Sequence, residues 1–119
     1  MATHNLTEVI LTGQIANVST ADQIYIPVPT GFAGEVVEIR TAIDAAISGA
    51  DAVITPKIGG TAMTNGAITI ANASSAAGDS DVSNPTGARS VTPGDTIEIE
   101  TSGASTGTAK CNISIVIRR

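Results

Sequence analysis

The residues able to do chemistry are few and far apart. His4 is the single imidazole, Cys111 the single thiol, Tyr25 and Phe32 the only aromatic rings, and Trp is absent from the 119 residues. A hydroxyl or thiol nucleophile needs a base beside it to take its proton. His4 sits near the N-terminus, where chain ends are commonly solvated. Zinc centres draw on three or four ligands, so His4 with Cys111 does not make one. Acids are more plentiful. Asp79-Ser80-Asp81, with Asp44 or Asp51 as distant contributors, is the best arrangement for a calcium ion, whose ligands are oxygens. It lacks the Gly and final Glu of an EF-hand loop, and such aspartates more often close turns. Glu98 and Glu100, two apart, share one face of a strand, as the carboxylate pair of a retaining glycosidase can. With hardly an aromatic ring on offer to hold a sugar, they read as a solvated strand face. Nowhere do the glycines spell GxxxxGK[ST], or GxGxxG after a strand. The expectation is a protein that is no enzyme, with no catalytic, cofactor-binding or metal-binding residues and no cofactor.

The elements that position these residues are strands. Period-two alternation dominates: Ile24, Ile26 and Val28; Val37, Ile39, Thr41 and Ile43; Ile97 and Ile99 against Glu98 and Glu100; Cys111, Ile113, Ile115 and Ile117 against Lys110, Asn112, Ser114 and Arg118. One dry face and one wetter face is the habit of antiparallel sheets. Gly59-Gly60 and Asn65-Gly66 are two-residue hairpin signals, the second predicting a type I′ turn. They suggest a meander of Ala52–Ile58, Thr61–Thr64 and Ala67–Ala71. Thr92-Pro93-Gly94-Asp95 predicts a type II turn, and Ser102 to Thr108 a hairpin tip. Pro56 removes a ladder donor, which predicts an edge strand or a bulge there. Thr41 to Ser48 fits either a continued strand or a helical turn. Ser74 to Ser90 reads as a long loop lying across the surface or against a neighbour. About eight strands at this spacing predict an all-β antiparallel β-sandwich, with a jelly roll preferred over a simpler Greek key. Residues 1–119 form one domain in this reading, with 1–10 as an N-terminal arm.

Composition narrows the function. Charged residues make up 14% and the formal net charge is −5, against about a quarter charged in ordinary soluble domains. An acidic chain with so few cations disfavours nucleic acid, whose phosphates demand clustered Lys and Arg. Arg118-Arg119, the only adjacent cations, read as a solvated tail. No apolar stretch approaches the roughly 20 residues of a membrane helix, and the N-terminus lacks the basic start and apolar run of a secretory signal. With aromatics at 2%, the core is made of Ile, Val, Leu and Ala. Cys111, inside an apolar alternation, reads as a small buried hydrophobe more than as a reactive thiol.

Four segments carry a resemblance: Ile26 to Val37 (IPVPTGFAGEVV), Ile47 to Ala52 (ISGADA), Lys57 to Met63 (KIGGTAM) and Thr92 to Ile99 (TPGDTIEI). They resemble the small head-decoration proteins of tailed phages, the capsid cement or head-fibre-like proteins. The similarity runs from about Gln23 onward, and its motifs are turns and strands. The resemblance implies a structural virion protein that decorates and stabilises a capsid from outside. It is expected to be made in the host cytoplasm, to partner the major capsid protein and to form a homo-oligomer, a trimer by preference. Contact is expected through the arm (His4 to Leu11) and through Ser74 to Ser90. The alternative is a carbohydrate- or receptor-binding module of a phage fibre, for which Tyr25 and Phe32 are the only rings available.

Overall fold

The computed structural model describes residues 7–119, and in it the alternating runs become ten strands. These are β1 (Glu8–Ile15), β2 (Gln23–Pro27), β3 (Gly34–Ile43), β4 (Ala52–Ile58), β5 (Thr61–Ala62), β6 (Ile68–Ile70), β7 (Ser80–Ser83), β8 (Ser90–Val91), β9 (Thr96–Thr101) and β10 (Cys111–Arg118). All pairings are antiparallel. One sheet runs β1-β10-β3-β7, with β8 also on β3; the other runs β2-β9-β4-β5, with β6 also on β4.

The order has a simple logic. The first strand pairs with the last (β1 with β10), the second with the next to last (β2 with β9), β3 with β7, and β4 with β5 and β6. Such a nested hairpin, wound so that β10 also meets β3 and β9 also meets β4, is a jelly roll. Eight positions hold ten strands because β5 and β6 share one position and β8 is a two-residue addition.

Between the sheets the inward set of each strand meets: Ile15, Ile26, Val36, Ile39, Ile43, Ile54, Ile97, Ile99, Ile113, Ile115 and Ile117 are all buried. Isoleucine does the work that aromatics do elsewhere. The total accessible surface, 5996 Å², matches the roughly 6,000 Å² expected of a monomer of this mass.

Several local expectations change. The Thr41 to Ser48 segment holds no helix: Thr41–Ile43 finishes β3, and Ser48 makes an isolated bridge to Thr106. β4 is neither an edge nor bulged at Pro56. It lies between β9 and the β5/β6 pair, and Pro56 falls where β6 (paired to Ala52–Ile54) has ended and β5 (paired to Lys57–Ile58) has not begun, so no ladder donor is needed on that side. For the same reason β5 and β6 both pair with β4 and form no meander. The Gly59-Gly60 hairpin has positive φ at both residues (59° and 81°), and Gly94 (85°) closes the turn in which the Asp95 amide donates to the Thr92 carbonyl. At Asn65-Gly66 only Asn65 has positive φ. Gly66 is required by space: a Cβ there would meet Met63 Cβ at 2.9 Å and Pro56 Cγ at 3.0 Å.

Two larger segments also differ. Of the arm expected at 1–10, residues 1–6, His4 among them, lie outside the described residues. Glu8 to Ile10 begin β1, in register with Arg118 to Val116. Within Ser74 to Ser90, Ser80–Ser83 is the strand β7, and the remainder is tied down. Ser75 Oγ donates at 2.9 Å to the Ile47 carbonyl, Asn84 Nδ2 at 3.0 Å to that of Val37, and Asn65 Nδ2 at 2.8 Å to Thr86 Oγ1.

Candidate functional site

The two outer faces of the sandwich differ in chemistry. On the β2-β9-β4 sheet, register sets Tyr25 opposite Glu98 and Glu98 opposite Lys57, with Gln23 opposite Glu100 in the next row. A chain of polar contacts follows. Tyr25 Oη donates to Gln23 Oε1 at 2.7 Å, Gln23 Nε2 donates to Glu100 Oε2 at 3.3 Å, and Lys57 Nζ donates to that same oxygen at 3.0 Å. Lys57 Nζ also lies 4.0 Å from Glu98. The hydrogen bond to Glu100 raises the Lys57 pKa; burial opposes it, and the charges of Glu100 and Glu98 assist. Glu98 and Glu100 thus do share a face, held on either side of a shared ammonium. This is an ion-paired strand surface, with Tyr25 exposed at its rim.

On the β1-β10-β3-β7 sheet the outer face is nearly free of unbalanced charge. Arg118 is paired with Glu8 through Nε at 2.8 Å, and Arg40 with Glu38 at 3.4 Å. Thr12, Gln14, Asn112, Ser114, Ala42 and Ser80, together with the ion-paired Arg40, line a shallow depression of about 670 Å³. Gln14 Nε2 donates to Asn112 Oδ1 across it at 2.9 Å. Ile10 (62% exposed) and Val82 (49%) stand on its flanks. A neutral, shallow, amide- and hydroxyl-rich surface with apolar flanks suits contact with another protein. Sequence patterning places only Asn112 and Ser114 on outward positions; Thr12 and Gln14 on β1 and Ser80 on β7 join them through the register of the four strands.

The aspartates considered for calcium serve separate turns. Asp79 Oδ2 accepts the Ala76 amide at 2.9 Å, Asp51 Oδ1 the Asn72 amide at 2.9 Å, and Asp44 Oδ1 the Lys110 amide at 2.8 Å. Asp81 lies on β7 opposite Thr41. Among the described residues no three His, Cys, Asp or Glu side chains converge as metal ligands. Cys111 is buried, and burial pushes its thiol up to about 11. Phe32 is buried too, with the Arg119 guanidinium 4.8 Å above its ring. Tyr25 is therefore the one exposed ring, and Arg118 and Arg119 stay solvated as expected, though Arg118 pairs with Glu8 and Arg119 covers Phe32.

No protein-family model and no curated protein matches the chain. Solved structures do. A chain of the capsid asymmetric unit of cyanophage Pam1 is similar over 99% of this chain and 90% of its own length, with TM-score 0.58 and 16% identity. A chain of the acidic stable capsid structure of Helicobacter pylori bacteriophage KHP30 is similar over 96% and 89%, with TM-score 0.58 and 10% identity. At such identities the likeness is one of fold. This chain shares the fold of those two phage capsid chains nearly end to end.

Proposed function

We propose that this protein is a structural virion component that binds the outer surface of a phage capsid and stabilises the shell. The observation that carries the reading is the neutral outer face of the β1-β10-β3-β7 sheet, on a fold similar throughout to chains from two phage capsids. A protein that binds the assembled shell and not dispersed subunits stabilises assembly by mass action. Nothing in that role requires a reactive side chain. In this reading Ser114 and Val82 lie inside the contact, and the Ser74 to Ser90 segment borders it. The partner is the major capsid protein, and copies associate with one another on the shell.

The test is co-sedimentation with particles lacking the protein. Saturable binding by the native chain is expected, together with loss of binding in Ser114→Glu and Val82→Glu variants of unchanged melting temperature. Failure of the native chain to bind particles, or full binding by both variants, would sink the proposal. The exposed Tyr25, bonded to Gln23 beside Glu100, favours a second and lesser reading as a sugar-binding module. A glycan-array signal abolished by Tyr25→Ser would move that reading ahead.

A further inference from the structure

We infer that the free edge of β1 is a pairing edge that joins β1 of a second copy, making one continuous sheet across a two-fold axis. Exposed edge strands are templates for further pairing, and proteins usually blunt them with short length, proline, bulges, lysines or inward charges. Most edges here are blunted. β7 is four residues long and carries Asp81 half-buried on the inward register of Thr41; β5 is two residues long; β2 ends on Pro27. β1 has none of these devices. It is eight residues long, it is bulge-free against β10, and its sole charge, Glu8, is already neutralised by Arg118. Among the described residues no strand pairs with its far side.

A second observation points to the same place. The core is incompletely closed beside β1: Val9 and Leu11, with Ile24 of the adjacent β2, are only partly buried although they pack on the core. Ile10 on the opposite face is 62% exposed. A strand seated here must itself alternate apolar residues on the inward side with polar ones outside, so that it extends both faces. β1 meets that requirement at most positions: Val9, Leu11 and Ile15 face inward and Glu8, Thr12 and Gln14 outward, with Ile10 the one apolar residue on the outer side and Gly13 the one inward position without a side chain. A shift of one residue would reverse the faces, so only registers that keep inward residues together are allowed. A register centred on Leu11 sets Val9 opposite Gly13, Ile10 opposite Thr12 and Glu8 opposite Gln14, and no like charges meet. Both neutral outer faces then lie on the same side of the dimer. The two-fold unit stands as an alternative to the trimer that the resemblance implies.

The inference stands apart from the capsid reading, because it is tested on the isolated protein. Sedimentation equilibrium should give a dimer, twice the 11.9 kDa chain mass. The Ile10→Lys variant changes an exposed side chain and should keep the native melting temperature in dilute samples where both proteins are monomeric, while its dimer dissociates at least about tenfold more readily. Hydrogen exchange supplies a readout independent of the variant. Alternate β1 amides, those facing away from β10, should be protected in concentrated samples and exchange freely on dilution. A monomer at all concentrations, a trimer, or an oligomer whose outward β1 amides stay unprotected would each overturn the inference. So would protection that appears only on capsid particles, which would assign the edge to a capsid strand.

Discussion

Two buried side chains show how much of this core is fixed by shape and how little by chemistry. Thr41 is 1% exposed, and its Oγ1 has no hydrogen-bond partner. An unsatisfied buried hydroxyl costs on the order of 1–3 kcal/mol, so Thr41→Val, nearly the same shape without the polar atom, should stabilise the protein by about 1 kcal/mol. Urea denaturation of both proteins reads this directly. Cys111 works through its thiol. Burial raises its pKa from 9.0 to about 11, so the unfolded chain ionises first as pH rises. The contribution of the neutral thiol is therefore complete below pH 9.0 and declines between there and about 11. Melting curves across that window should fall more steeply for the native protein than for Cys111→Ala. The alternating run that contains Cys111 made its burial legible in the sequence. The orphaned Thr41 hydroxyl was not legible, because Thr occupies inward positions in many strands with a carbonyl to bond, and only packing shows that none is near.

At the level of elements, alternation with a single buried face was readable wherever the period was unbroken, as in β9, β10 and the Ile39–Ile43 half of β3; nearer its start a bulge against β10 puts Val36 inward, where the alternation set Val37. It failed at β1, where Val9, Ile10 and Leu11 form an apolar run and Gly13 occupies an inward position, so that no clean period of two is visible. An exposed Ile10 beside an incompletely buried Leu11 breaks the rule that identifies a strand. Turn chemistry was reliable where φ decides, at Gly59-Gly60 and Gly94, and misleading at Gly66, where crowding against Pro56 decides. That crowded corner ties the sheets together: Ser83 Oγ on β7 donates at 2.7 Å to the Gly66 carbonyl beside β6, and Ser83 is buried. Ser83→Ala leaves that carbonyl unpaired and should cost about 1–2 kcal/mol, read as a lower urea midpoint. An unchanged midpoint would show that the corner relaxes to find another partner.

At the scale of the whole molecule, the two outer faces were invisible in the sequence because each is assembled from strands far apart in the chain. Tyr25 meets Glu98, and Thr12 meets Ser114, only through register. The consequence for binding is specific. Exposed ion pairs contribute little and are screened by salt, and the β1-β10-β3-β7 face has its charges already paired. Capsid association through that face should therefore change less than about threefold between low and physiological salt, in contrast to the steep dependence of charge-driven binding. Co-sedimentation across a salt series decides it. The nested strand order has a mechanical consequence as well. Glu8 pairs with Arg118, and the Arg119 amide donates to the Thr7 carbonyl at 2.8 Å, so residues 7 and 119 leave the molecule at one corner. A pull applied at that corner would open the β1–β10 ladder like a zip, breaking bonds one at a time. Force entering across the broad faces would load many bonds at once. A subunit of this build resists strain best when gripped by its faces and kept free of tension at its ends.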